Sequence, residues 1–118
     1  MIVIKGIGLD IVEMQRIRKI STFQPRFVER ILTEVEQKIY YKLTSDRQLE
    51  YLAGRFAAKE AFSKALGTGI GREVGFQDIE IVNDERGKPI ISKPFNQGVH
   101  LSITHTKEYA AAQIIIED

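Results

Sequence analysis

At 118 residues the sequence has the length of one small domain, 1–118, with room for a thin independent core. Its 43% hydrophobic and 28% charged residues suit a soluble globular protein; no apolar run approaches the roughly 18 residues that span a bilayer, and MIVIKGIG lacks a signal-peptide pattern. Zero cysteines exclude disulfides, a thiolate nucleophile and a cysteine-ligated zinc, and a net charge of +1 argues against a general nucleic-acid binder. The expectation is a cytoplasmic protein with neither membrane nor nucleic acid as partner.

In chain order, IVIKGIGLDIV is β-branched and nearly all apolar, and reads as a buried strand. A helical pattern follows, with Ile17 and Ile20 on one side and basic residues on the other, and Pro25 suits the start of a second helical turn. Thr33-Glu34-Val35-Glu36 is a capping box, after which Val35, Ile39 and Leu43 recur at helical spacing. Ser45-Asp46-Arg47-Gln48 reads as another box, opening a long helix that stops at Gly67. Gly67, Gly69, Gly71 and Gly75 then mark a flexible connection. QDIEIVN alternates apolar and polar, NDERGKP reads as a turn, and PIISK, HLSIT and AAAQIII read as further strands. One strand, helices, then a meander of about four strands predicts an α+β fold, an antiparallel sheet packed against helices.

Two carboxylates stand where apolar residues are expected. On a helical wheel Leu49, Leu52, Ala53 and Phe56 share one side of the long helix, and continuing that side brings Lys59, Glu60, Ser63 and Lys64. An unpaired buried ion there would cost several kcal/mol, so it needs compensation. A surface i,i+4 pair between Glu60 and Lys64 is one solution. Asp10 interrupts the first strand, where Asp is depleted, and shares a face with Gly6 and Gly8. Those glycines leave space beside the carboxylate for a ligand, although a bulge or strand-ending Asp is equally consistent. Together, Asp10 and Glu60 suit Mg²⁺, which needs only one or two protein carboxylates and completes its shell from water and phosphate. Phosphoryl-group chemistry follows, with Lys64 balancing phosphate charge.

Other signals are weaker. Gly67-Thr-Gly-Ile-Gly71 follows a helix, which is the wrong context for a dinucleotide loop. His100 and His105, five apart in one strand, face opposite ways and make a poor metal pair. The segment 14–30 carries Arg16, Arg18, Lys19, Arg26 and Arg30 against Glu29, either a solvated face or a dock for an anionic partner.

Gly6-Ile-Gly-Leu-Asp10 followed by Phe56-Ala-Ala-Lys-Glu60-Ala-Phe-Ser-Lys64 resembles the paired signature of the 4′-phosphopantetheinyl transferases. The short length, Ala65-Leu-Gly-Thr-Gly69 and Ser102-Ile-Thr-His-Thr106 resemble the bacterial holo-acyl-carrier-protein synthase branch. The resemblance implies transfer of 4′-phosphopantetheine from coenzyme A to a serine of apo acyl carrier protein, supporting fatty acid biosynthesis. It implies Asp10 and Glu60 as Mg²⁺ ligands, with Glu60 and Lys64 as catalytic residues; the serine proton goes to Glu60 or to a water on the metal. Arg55, Lys64, Arg86, Gly87, Lys88, Pro89, His105 and Thr106 are implied contacts to coenzyme A. Arg16, Arg18 and Arg26 are implied contacts to the acidic carrier protein. A homotrimer is also implied, with AAAQIII at the interface and the Arg86–Pro89 turn serving a neighbour's site. Outside the resemblance, two other readings fit the residues: another Mg²⁺-dependent phosphoryl or pyrophosphate enzyme, and a non-enzymatic adaptor for an acidic protein.

Overall fold

The computed structural model describes residues 1–118. Strand β1 (Ile4–Glu13) leads into helices α1 (Met14–Phe23), α2 (Phe27–Ile31), α3 (Glu34–Tyr40) and α4 (Ser45–Leu66). A 3₁₀ turn (Phe76–Asp78) precedes strands β2 (Glu80–Asn83), β3 (Pro89–Lys93), β4 (Val99–His105) and β5 (Tyr109–Glu117). The α+β expectation holds, but the four late strands do not form one meander. β1, β5 and β4 make a three-stranded antiparallel sheet with β5 in the middle, while β2 and β3 form a separate hairpin. No helix is long and apolar enough to cross a membrane.

The placing of α4 on the sheet organises everything else. The sheet's inner face is built from Gly6, Gly8, Asp10 and Val12 of β1, Ala110, Ala112, Ile114 and Ile116 of β5, and Leu101 and Ile103 of β4. Its small residues let the helix backbone approach closely. A Cβ on Gly8 would fall 2.7 Å from the carbonyl carbon of Ala61 and 2.9 Å from the amide nitrogen of Ala65, and a Cβ on Gly6 would meet the Ala65 carbonyl. The glycines therefore make room for α4 itself, not for a ligand. Because the sheet, α1–α3 and the β2–β3 hairpin surround α4, its buried residues run round the whole helix, from Leu52 and Ala57 to Lys59, Phe62 and Ser63.

Three local expectations are corrected. β1 is not buried throughout: Ile7, Leu9 and Ile11 point away from α4 and are 59%, 62% and 66% exposed. The Val35–Ile39 stripe of α3 faces outward and Glu36 faces the core, because α3 is seated by its polar cap. The second capping box is not formed; α4 is preceded by Thr44, with no side-chain cap. The Thr33–Glu36 box is present in both directions, and Gly67 closes α4 in the left-handed conformation, φ 87°.

Candidate active site

Asp10 reaches the α4 side of β1 because it lies two residues beyond Gly8 on the same face. There Lys64 Nζ donates to Asp10 Oδ1 at 2.9 Å and to the Leu9 carbonyl at 3.0 Å. The Glu60–Lys64 pair offered by the helix spacing is not made; the lysine crosses to the strand instead. Glu60 is left half-buried without an ion-pair partner. Burial first, and then the charge of Asp10, pushes its carboxyl above the ordinary glutamate range, while Lys64 and Arg16 act in the opposite direction. The two carboxylates thus interact across the β1–α4 contact, with Lys64 and Arg16 as the nearby cations. Arg16, expected only as part of a docking face, also belongs to this electrostatic set.

No three His, Cys, Asp or Glu side chains gather to hold a metal. Two mutually repelling carboxylates, one half-buried, still fit a hard divalent cation that keeps water and phosphate in its shell.

A second cluster lies elsewhere on α4. Arg55 is 9% exposed, donates through Nη2 to Asn83 Oδ1 at 3.2 Å, and lies over the Tyr51 ring at 4.1 Å. Its Nε and the Tyr51 hydroxyl are buried without a protein partner. Arg55, Tyr51, Arg47, Glu50, Asn83 and His105 line a cleft of about 260 Å³, and His105 Nδ1 is 3.9 Å from Glu50 Oε2. A cleft with two arginines, a histidine and unspent buried donors has the character of an anion site. On a wheel of about 100° per residue, Arg55 lies roughly 140° from Glu60 and 180° from Lys64. One chain therefore presents two separate clusters on opposite sides of α4.

The β2–β3 turn carries Arg86, Gly87 and Lys88, all exposed, ahead of Pro89 at the start of β3. Asp84 Oδ1 accepts from the amides of Arg86 and Lys88, each at 2.9 Å, and Gly87 has the left-handed φ of 83° that this tight turn needs. Thr106 sits in the β4–β5 turn, where its hydroxyl accepts from the Tyr109 amide at 3.1 Å. Arg18 on α1 and Arg26 ahead of α2 are exposed, as is Arg16. Sequence reading missed Arg47, Tyr51 and Asn83. The first two were visible in principle, since Arg47, Tyr51 and Arg55 recur at intervals of four along one helix face; Asn83 arrives only through tertiary packing.

A family model described as the 4′-phosphopantetheinyl transferase superfamily matches residues 6–114. The holo-[acyl-carrier-protein] synthase of Bacillus pumilus is 64% identical over 116 residues, covering 97% of this chain and 96% of the relative. That of Bacillus subtilis is 62% identical with the same coverage. Among solved structures, the Bacillus anthracis holo-(acyl-carrier-protein) synthase in complex with CoA (3′,5′-ADP) superposes with a TM-score of 0.88 at 54% identity, over 98% of this chain and 97% of that one. The Helicobacter pylori synthase in complex with coenzyme A gives 0.78 at 35% identity, over 93% and 98%. The GIGLD and FAAKEAFSK segments, the α4-on-sheet fold and the matched length agree: the chain belongs to the 4′-phosphopantetheinyl transferase superfamily.

Proposed function

We propose that this chain is a cytoplasmic holo-[acyl-carrier-protein] synthase, transferring the 4′-phosphopantetheine group of coenzyme A to a serine of apo acyl carrier protein. The products are holo acyl carrier protein and adenosine 3′,5′-bisphosphate, and the reaction serves fatty acid biosynthesis. The observation that carries this reading is the interaction of Asp10 with Glu60 and Lys64 across the β1–α4 contact, in a chain whose relatives carry that name.

In the reaction the serine oxygen forms a bond to the phosphorus bearing pantetheine, the bond from that phosphorus to the bridging oxygen breaks, and adenosine 3′,5′-bisphosphate leaves with the electron pair. Asp10 and Glu60 would hold Mg²⁺, which when bound supplies neutralising charge to the pyrophosphate. Lys64, half-exposed and hydrogen-bonded to Asp10, keeps an ammonium beside the transferred phosphate. The serine proton goes to the Glu60 carboxylate or to a water on the metal; burial and the charge of Asp10, which raise the Glu60 pKa, make that carboxylate the stronger base. The Arg55–His105 cleft takes the adenosine-phosphate end of coenzyme A, and the Arg86–Pro89 turn and Thr106 lie on its border.

The separation of the two clusters on α4 supports a homotrimer, in which Asp10, Glu60 and Lys64 of one subunit meet the cleft and turn of the next. The exposed row Ile7, Leu9 and Ile11, beside Gln113 and Ile115 of β5, supplies an apolar surface for that contact. The basic residues Arg16, Arg18 and Arg26 dock the acidic carrier protein.

Intact-mass spectrometry of apo acyl carrier protein with this chain, coenzyme A and Mg²⁺ tests the reading. A gain of one phosphopantetheine that disappears with EDTA and with Glu60→Ala is expected; no gain with folded enzyme and several carriers would refute it.

A further inference from the structure

Lys59 precedes Glu60 on α4 yet takes no part in the carboxylate site. Its ammonium is fully buried and donates to Glu36 Oε1 at 2.6 Å, to the Ile31 carbonyl at 2.7 Å and to the Phe76 carbonyl at 3.1 Å. All three of its protons are used. Glu36, also fully buried, accepts the Thr33 amide on Oε1 and the Ile81 amide on Oε2, each at 2.8 Å. The Thr33 hydroxyl donates to Glu80 Oε1 at 2.7 Å, and Ser92 Oγ donates to Glu80 Oε2 at 3.3 Å. One hydrogen-bonded network thus joins the end of α2, the cap of α3, the middle of α4, the 3₁₀ turn and both strands of the hairpin.

Stability alone does not call for such a network, because a buried ion pair is often no better than apolar residues of similar volume. It does supply directed contacts to an element that needs them. The β2–β3 hairpin is not paired into the main sheet, and a lone two-stranded hairpin is marginal in water. Lys59 lies four residues after Arg55, about 40° away on the same helix face. Ile81, whose amide Glu36 holds, lies two residues before Asn83 on β2, to which Arg55 bonds. The two links are successive rungs between α4 and β2, one inside the cleft and one beneath it.

We infer that the Lys59–Glu36–Thr33–Glu80 network is a positioning device: it fixes the hairpin against α4 so that Asn83 and Arg55 are set at the spacing that binds the anionic nucleotide end of coenzyme A. The coenzyme A part rests on the function proposed above; the mechanical part does not.

Thr33→Val severs the α3–Glu80 link and the cap bond from the Glu36 amide while keeping both members of the Lys59–Glu36 ion pair, Lys59→Met removes the central cation, and Thr33→Ser is the conservative control. Three measurements are made on the full chain: amide hydrogen exchange over residues 80–93 without ligand, calorimetric affinity for coenzyme A with Mg²⁺, and steady-state kinetics. In Thr33→Val, hairpin amides should exchange at least tenfold faster while those of β5 do not change. Kd and KM for coenzyme A should rise roughly tenfold, the loss expected when the hydrogen bond that ties Glu80 of the hairpin to α3 is removed. KM for carrier protein and all values for Thr33→Ser should stay within about twofold of wild type. If Lys59→Met does not fold, Thr33→Val carries the test. A lower Tm with unchanged hairpin exchange or unchanged coenzyme A affinity would make the network merely stabilising and overturn the inference. A wild-type protein that binds no coenzyme A would defeat the proposed function instead, and hairpin exchange would still decide the mechanical link: faster exchange upholds it and unchanged exchange overturns it.

Discussion

The sharpest test of how this fold makes its site is Gly8→Ala, one methyl group placed between a strand and a helix. In the folded protein that methyl carbon would lie 2.7 Å from the Ala61 carbonyl carbon, closer to the carbonyl oxygen, and 2.9 Å from the Ala65 nitrogen, against ordinary contact beginning at 3.4 Å. All three neighbours are backbone atoms of a helix packed on every side, so no rotamer change relieves the overlap. β1 must retreat from α4 by more than about half an ångström. Overpacking of this kind costs about 1–3 kcal/mol, and a backbone-on-backbone clash belongs at the upper end. Stiffening of the unfolded chain by alanine returns about 0.4–1 kcal/mol. The net loss is about 2 kcal/mol, or a fall in Tm of roughly 10 °C at this chain length. Asp10 moves with the strand, and a displacement approaching 1 Å at a reacting site is worth about 100-fold in rate. Turnover at 25 °C, where the variant remains folded, should therefore fall far more than the folded fraction does. Gly54→Ala is the stability control: its nearest neighbour is a side-chain methyl, Ile103 Cγ2 at 3.2 Å, and Tm should not fall as it does in Gly8→Ala. A Gly8→Ala protein melting within about 2 °C of wild type, or turning over normally per folded molecule, would refute the account of the β1–α4 contact.

The remaining predictions address charge and assembly. Because the Glu60 carboxyl is raised in the folded state, its contribution to stability is fully present below the ordinary glutamate pKa of about 4.3 and is lost as pH rises through the folded value. Metal-free Glu60→Gln should therefore melt higher than wild type at pH 7, with the gap closing towards pH 4; an equal gap at both pH values would disprove the linkage. Asp10→Ala should lower turnover at least about 100-fold, as expected for loss of a ligand to the metal that would neutralise transition-state charge, and should abolish any Mg²⁺-dependent rise in Tm. A retained Mg²⁺ shift would remove Asp10 from the metal site. Arg16→Glu should raise KM for the carrier protein, with the difference from wild type shrinking as salt is added; unchanged carrier kinetics would take Arg16 off the docking surface. If the chain forms the proposed trimer, Leu9→Arg, in the middle of the exposed row, should convert it to monomer by sedimentation, and a trimer that persists would place the interface elsewhere.

The elements were legible wherever the local chemistry decides. Thr33 and Glu36 form the capping box that their spacing predicts, and Gly67 ends α4 because only a residue free of Cβ strain takes φ 87° cheaply. Reading failed where a partner that is not a side chain fills the space. β1 shows the inversion most clearly. Its apolar residues Ile7, Leu9 and Ile11 face outward, and its buried face is Gly6, Gly8 and Asp10, because helix backbone takes the volume that side chains normally fill. Hydropathy alone points the strand the wrong way. Of the site, the Asp10, Glu60 and Lys64 positions were readable from their motifs, but the ion pair across to β1 and the Arg55–Asn83 contact depend on where β1 and β2 pack against α4.

Lys59 and Glu60 show how far apart two adjacent residues of a motif can be in their work. One residue of α-helix turns the side chain by about 100°, enough to carry it from one surrounding layer to another when the helix is enclosed on all sides. Lys59 meets α2, α3 and the 3₁₀ turn, is fully buried, and spends every proton on protein acceptors. Glu60 meets β1, stays half-open, and has no ion-pair partner while a second carboxylate pushes its pKa upward. A helix in a two-layer protein keeps one face for the core and one for water, and could bury only one of these residues. Enclosure of α4 by sheet, helices and hairpin lets a single element carry a locked cation and a half-buried carboxylate without an ion-pair partner side by side. Under the proposed function the locked cation holds the hairpin that frames the Arg55–Asn83 cleft, so a substitution at Lys59 should act on coenzyme A binding through the hairpin, whereas one at Glu60 should act at the reacting phosphate itself.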